Sequence, residues 1–205
     1  MEAPVTVAAI LLAAYLLGAI PSAYIAGKLT KGIDLRSVGS RNPGALNTFR
    51  QIGPRTAIAV LVADTLKGVL AILIAMWLGE SLWACLYGAA GVLAGHNWPL
   101  FLGFRGGKGA ATALGVSLAV LPLFTILALA FATSLLALTR NVVLGAASGF
   151  VLVNILTVVT GQGWMQILIC LFLTLVVTAT YLGHSWQQTV NALRRGQVME
   201  LFSFE

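Results

Sequence analysis

Two polar stretches of this 205-residue chain carry residue types suited to handling an anion. The first reads Val38-Gly39-Ser40-Arg41-Asn42-Pro43-Gly44-Ala45-Leu46-Asn47, with Arg50 close behind. Asn-Pro-Gly marks a turn. Ser40, Asn42 and Asn47 offer neutral hydrogen-bonding groups, and Arg50 offers a planar, forked cation that matches a phosphate. A loop lying on lipid headgroups would also be basic, but it has no need of two glycines, a serine and two asparagines in so short a run. The second stretch reads Gly95-His96-Asn97-Trp98-Pro99-Leu100-Phe101, then Phe104-Arg105-Gly106-Gly107-Lys108-Gly109, ahead of an apolar run opening Ala110-Ala111-Thr112. Gly106, Gly107 and Gly109 suggest main-chain N–H groups presented at a helix N-terminus, where the dipole favours an anion, and Lys108 adds a full charge. Gly109 stands where a nucleotide-binding P-loop requires Ser or Thr, so that motif is excluded.

The remaining reactive groups are few. Asp34 and Asp64 are the only aspartates, too few for a carboxylate cluster holding two metals. Phe101 lies five positions after His96 and Thr189 five after His184, so no His-x4-Asp pair exists, and no Gly-x-Ser-x-Gly elbow occurs. Cys85 and Cys170 both sit in apolar runs and read as packing residues; with two histidines they do not suggest a zinc site. Asp64 and Lys67 are ionisable groups inside an apolar run, which marks them as functional candidates. Their i, i+3 spacing equally permits a structural ion pair. His96 reads as a ligand contact or as a loop anchor. His184 reads as part of an anion site or as an interfacial anchor beside Trp186.

The elements that position these groups are apolar. Hydrophobic residues make up 59% of the chain and charged residues 9%, with mean hydropathy +0.95, which excludes a water-soluble globular or disordered protein. Apolar runs over roughly 4–27, 55–79, 81–95, 109–121, 123–139, 141–160 and 164–183 predict an all-α polytopic membrane protein of seven spans. The third and fourth runs are short, and a five-span chain is the alternative. The run 4–27 lacks a basic leader and is expected to be a retained first span. Eleven of the twelve Lys and Arg fall in loops 28–55 and 96–108, near Arg140 and in the tail with Arg194 and Arg195, all on one side of a seven-span chain. Positive-inside logic puts that side in the cytoplasm, with the N-terminus outside and the C-terminus cytoplasmic. The net charge of +6 therefore fits an anionic membrane surface and anionic substrates, not nucleic acid. Small residues at four-residue spacing (Gly18, Ser22 and Ala26; Gly145 and Gly149) predict close helix packing within one chain. Residues 1–205 are read as a single domain.

From its first run to its tail the chain resembles the bacterial acyl-phosphate:glycerol-3-phosphate acyltransferases. Tyr15-Leu16-Leu17-Gly18-Ala19-Ile20-Pro21 and Gly32-Ile33-Asp34-Leu35-Arg36 match that family's start, and Asp64-Thr65-Leu66-Lys67-Gly68 its second span. The first polar stretch matches the pattern Val-Gly-Ser-Gly-Asn-x-Gly-Ala-Thr-Asn, departing at Arg41 and Leu46. Gly95 to Thr112 follows Gly-His-x-aromatic-Pro…Gly-Gly-Lys-Gly-x-Ala-Thr throughout. Two later motifs depart: Val143 and Ala146 replace serines, and Gln187 stands where the family has Asn.

The resemblance implies that acyl phosphate, in membrane lipid and without a cofactor, acylates the 1-hydroxyl of glycerol 3-phosphate, giving lysophosphatidic acid and phosphate. Ser40 and Arg50 would handle the acyl-phosphate group, and Lys108 and His184 glycerol 3-phosphate. Asn42, Asn47, His96, Gly106, Gly107, Gly109 and Gln187 would line the substrates. It also implies a bacterial plasma-membrane location, an active site on the cytoplasmic face, and contact with the soluble enzyme that makes acyl phosphate. The rival readings are a membrane transporter of phosphate esters or anions and a diverged, inactive paralogue.

Overall fold

A computed structural model describes residues 3–194, and every regular element among them is helical. The chain divides into two compact units, Met1–Val120 and Leu121–Glu205. The first contains α1 (Pro4–Gly18), α2 (Ser22–Lys31), α3 (Ala45–Gln51), α4 (Pro54–Leu78), α5 (Leu82–Asn97), a 3-10 turn at Leu100–Leu102, and α6 (Ala110–Val120). The second contains α7 (Pro122–Thr139), α8 (Val142–Val159) and α9 (Trp164–Arg194). Prolines open α1, α4 and α7 at a position where the missing N–H costs nothing.

Five stretches among the described residues are long and apolar enough to cross a membrane: Pro4–Lys31, Pro54–Leu78, Pro122–Thr139, Val142–Val159 and Trp164–His184. The first is not one continuous helix. Pro21 has no N–H to give the preceding turn, and the chain breaks between Gly18 and Ser22. The two short apolar runs form α5, of 16 residues, and α6, of 11. At 1.5 Å per residue these span about 24 and about 17 Å, less than the roughly 30 Å hydrocarbon thickness. Helix α3, which the sequence reading did not anticipate, lies within the first polar stretch.

In the first unit α5 packs on α1 and α4, and α6 packs on α4. The α1–α5 and α4–α6 crossings are made by glycine. A Cβ on Gly18 would overlap the Val92 carbonyl, and one on Gly95 the Tyr15 carbonyl. A Cβ on Gly68 would meet the Thr112 carbonyl, and one on Gly115 the Thr65 carbonyl. These backbones touch because nothing stands between them, the packing mode that serves where water does not drive helices together. In the second unit Gly145 and Gly149 meet Ala132 of α7, so the predicted stripe packs within the chain. There α8 and α9 are joined by Asn154 Nδ2 donating to Thr174 Oγ1 at 2.8 Å.

Gly115→Val should therefore force α4 and α6 apart and lower stability by about 1–3 kcal/mol, the usual cost of overpacking. Gly183→Ala, with no atom within 4 Å of the added methyl, should leave it unchanged or slightly raised. Thermal unfolding in detergent compares the two, and equal midpoints would show that the α4–α6 crossing does not depend on Gly115.

Candidate active site

Both polar stretches sit at one end of the first unit, where α2 finishes, α4 begins and α5 finishes. Lys31 Nζ donates to the Gln51 carbonyl at 2.7 Å, closing the first stretch into a loop. Within it, Asn47 is 1% exposed and ties the turn together. Its Nδ2 donates to the carbonyls of Leu35 (3.0 Å) and Val38 (3.1 Å), and its Oδ1 accepts from the Ser40 N–H at 3.2 Å. The Asn47 amide is thus committed to holding Ser40 in place. Gly39 has φ +58 and lies so close to Asn47 Oδ1 that no side chain fits there. Arg41 has φ +60, a left-handed conformation costing an L-residue roughly 1–2 kcal/mol, which explains why the family pattern has Gly at this place. Ser40 and Arg50 are exposed, and Arg50 sits in the last turn of α3.

Arg36 joins this loop to the second stretch. Its guanidinium grips Asp34 (Nη2 to Oδ2 2.7 Å), lies over the Tyr24 ring at 5.3 Å, and donates through Nη1 to the Leu102 carbonyl at 2.8 Å. The Arg36 hydrogen bonds hold the Asp34 carboxyl below its ordinary value of 3.8. In return, Asp34 raises the Arg36 guanidinium.

The second stretch folds back under α5. The N–H groups of Gly106 and Gly107 donate to the carbonyls of Asn97 and His96, both at 3.1 Å. Two of the three glycine amides expected to face an anion are therefore used in the turn itself. Their lack of side chains serves close packing instead: a Cβ on Gly106 would overlap the His96 carbonyl, and one on Gly107 would run into His96 Nε2. Gly109, at φ +82, lies against the Asn97 amide and leads into α6. Lys108 is half-buried just before that helix.

At this point the structure shows unmatched polar groups of which the residue patterns singled out only Asn42. The Asn97 side chain is 2% exposed, and neither its Nδ2 nor its Oδ1 has a hydrogen-bond partner within the protein. Thr112 Oγ1, in the first turn of α6, and Asn42 Oδ1, in the first loop, are likewise buried and unmatched. Buried polar atoms without partners are rare and costly. Here two of the residues bearing them flank the Gly109–Ala110 entrance to α6, beside Lys108. The arrangement suits a ligand rich in hydroxyl and phosphate oxygens. Asn97 had an outward signal only in its neighbours, since it occupies the variable position of the Gly-His-x-aromatic-Pro pattern.

Next to this entrance lies a narrow cleft. Pro21 at the α1–α2 break, Pro43 of the first loop, Asp64 and Lys67 of α4, and His96, Gly106 and Gly107 line it. Asp64 and Lys67 form an ion pair of 2.8 Å with side chains 3% and 5% exposed. His96 Nδ1 is 3.8 Å from Asp64 Oδ1. Ser40, Arg50 and Lys108 do not line the cleft, which joins the two stretches through Pro43 and the glycine turn.

His184 belongs to the second unit, at the end of the apolar part of α9. Its Nδ1 faces the Thr180 carbonyl at 2.9 Å. A carbonyl only accepts, so Nδ1 carries a hydrogen in this contact. The Gln187 side chain and the tail from Arg195 lie outside the described residues. Near the position of the first lost serine, Asn141 Oδ1 accepts from the Leu144 N–H at 3.0 Å and caps α8. Among the described residues no group of three His, Cys, Asp or Glu could hold a metal.

The depressed Asp34 carboxyl gives a pH prediction. A folded value below the unfolded one means that the stabilisation is complete above the ordinary carboxylate value and is lost as pH falls through the folded one. Wild type should therefore melt above Asp34→Asn at about pH 7, with the gap narrowing towards about pH 3. A gap independent of pH would contradict the Asp34–Arg36 assignment.

The family model for glycerol-3-phosphate acyltransferase matches residues 8–192. The glycerol-3-phosphate acyltransferase of Thermoanaerobacter sp. (strain X514) is 48% identical over 144 residues, covering 69% of this chain and 72% of that protein. Glycerol-3-phosphate acyltransferase 3 of Bacillus anthracis is 43% identical over 174 residues, covering 84% and 87%. Among solved structures, PlsY (YgiH), an integral membrane glycerol 3-phosphate acyltransferase in its glycerol 3-phosphate form, superposes with a TM-score of 0.81 at 30% identity over 93% of each chain. The same protein in its lysophosphatidic acid form gives 0.79 at 28% identity. The chain belongs to the glycerol-3-phosphate acyltransferase family.

Proposed function

We propose that this protein transfers an acyl group from acyl phosphate to the 1-hydroxyl of glycerol 3-phosphate, releasing lysophosphatidic acid and inorganic phosphate. One observation carries the reading. The entrance to α6 gathers a lysine with the unmatched, buried polar atoms of Asn97 and Thr112, a set that a phosphorylated polyol would satisfy. Lys108 neutralises the phosphate of glycerol 3-phosphate there, helped by the helix dipole. Gly106, Gly107 and Gly109 let the turn lie flat against α5. Ser40 and Arg50 take the acyl-phosphate group, with Asn47 fixing the Ser40 main chain and Asn42 beside it. His184 and Gln187 are assigned to glycerol 3-phosphate on the family pattern.

Acyl phosphate suits a protein poor in acid and base groups. It is a mixed anhydride whose phosphate is already a good leaving group. The glycerol oxygen attacks the carbonyl carbon, the bond from that carbon to the phosphate oxygen breaks, and the hydroxyl proton goes to a substrate phosphate oxygen. The protein then has to hold two anions in register and stabilise the carbonyl oxygen as it gains charge. The basic loops support a site on the cytoplasmic face of a bacterial plasma membrane, in a chain of seven or five crossings whose N-terminus is outside and whose C-terminus is inside. The soluble enzyme that makes acyl phosphate would then deliver the donor to that face.

The test uses purified full-length protein in liposomes, supplied with glycerol 3-phosphate and with acyl phosphate, acyl-CoA or acyl carrier protein as donor. Lysophosphatidate should form from acyl phosphate alone, and Lys108→Ala and Ser40→Ala should each lower turnover by at least about 100-fold, the size seen when a charge-stabilising donor is removed. Formation from acyl-CoA instead would replace the donor. Near-normal turnover in both variants would remove the site assignment, and flux of glycerol 3-phosphate without product would make the protein a carrier.

A further inference from the structure

The reaction described above does not use Asp64 or Lys67, although both are charged and buried in the apolar helix α4. Asp64 lies ten residues past Pro54, about 15 Å along the helix axis, half the thickness of a hydrocarbon core. Removing two charges from water at such a depth costs several kcal/mol per ion, so what the pair touches matters. Lys67 Nζ bridges Asp64 at 2.8 Å and the Ile20 carbonyl at 3.3 Å, at the place where Pro21 breaks the first span. That carbonyl also accepts the Ser22 N–H at 3.1 Å, so Lys67 is its second donor. The same oxygen, Asp64 Oδ1, lies 3.8 Å from His96 Nδ1.

His96 in turn touches the glycine turn twice. Its carbonyl accepts the Gly107 N–H at 3.1 Å, and its ring Nε2 abuts Gly107 closely enough to exclude a Cβ. Gly107 immediately precedes Lys108. A chain of contacts thus runs from the α1–α2 break through Lys67, Asp64 and His96 to the residue that orients Lys108. All of it lines one cleft in the first unit. The His96 ring is 8% exposed, so it acts from below the turn and not as an open ligand group.

From this, and resting on the reading of Lys108 as the glycerol 3-phosphate anchor, we propose that Asp64, Lys67 and His96 form a positioning unit that fixes the Gly106–Lys108 turn and sets the affinity for glycerol 3-phosphate. None of the three residues touches the reacting atoms. The ion pair holds His96, and the His96 ring holds the turn. This explains why ionisable groups sit inside an apolar helix of a protein that otherwise keeps its charge in loops.

The experiment measures KM and kcat for both substrates with wild type, Asp64→Asn, His96→Ala and His96→Gln in liposomes, together with equilibrium binding of radiolabelled glycerol 3-phosphate. Asp64→Asn and His96→Ala should raise KM and weaken binding of glycerol 3-phosphate by on the order of tenfold to a hundredfold, as displaced positioning groups do. The KM for acyl phosphate should change by less than about twofold, and His96→Gln, which keeps a nitrogen near the Nε2 position, should recover most of the loss. A merely structural role would lower the yield of folded protein and affect both substrates alike. Should Asp64→Asn fail to fold, His96→Ala leaves the ion pair intact and decides the matter alone. Unchanged glycerol 3-phosphate affinity in folded His96→Ala, or equal losses for both substrates, would overturn the proposal. Wild type that binds no glycerol 3-phosphate would overturn the underlying assignment of Lys108 first, and the positioning role with it.

Discussion

A carboxylate and an ammonium facing each other inside an apolar helix are the constraint around which the first unit is organised. Either charge alone would be costly there, and their pairing at 2.8 Å offsets part of that cost. Lys67 adds a second donor to the Ile20 carbonyl at the α1–α2 break, and Asp64 Oδ1 lies 3.8 Å from His96 Nδ1 at the end of α5. Three elements that would otherwise slide on featureless apolar faces are thereby given one register. The glycine crossings then bring the backbones into contact at Gly18 and Gly95 and at Gly68 and Gly115. Packing in such a protein supplies adhesion, whereas the buried polar group supplies position.

The short helices follow from the same constraint. A loop cannot lie in hydrocarbon, because its main-chain groups would have no partners. The chain between α5 and α6 solves this by giving the Gly106 and Gly107 N–H groups to the end of α5 and by lining a cleft with what remains. Helices α5 and α6 end at the polar turn between them. The unmatched atoms of Asn97 and Thr112 lie beside that turn, in the surroundings proposed for glycerol 3-phosphate.

Much of this was legible in the sequence. The apolar runs locate the long helices, and the clustering of Lys and Arg marks which loops belong together. The Asp64–Lys67 spacing announces a pair on one helix face. Other features depend on contacts between distant residues. Asn47 looked like a ligand group because its type is right for one, but all of its polar capacity goes to Leu35, Val38 and Ser40. Gly106 and Gly107 looked like amide donors, whereas they are small because His96 and Asn97 press against them. Arg36, which reads as one more basic loop residue, proves to be the tie between the two loops through the Leu102 carbonyl. Helix α3 was hidden because seven residues are too few to show a period. Asn97 was hidden because its position tolerates any residue in the family pattern, and only its burial without partners draws notice.

The account stands on the phosphate of glycerol 3-phosphate entering at the first turn of α6, above an intact Asp64–His96 contact. A crystal structure of the wild-type protein with glycerol 3-phosphate bound measures this directly. The phosphate should lie within hydrogen-bonding reach of Lys108 Nζ, with the Asn97 amide or the Thr112 hydroxyl now paired and His96 still seated beneath Gly107. A phosphate bound elsewhere, with Asn97 and Thr112 still unmatched, would contradict it.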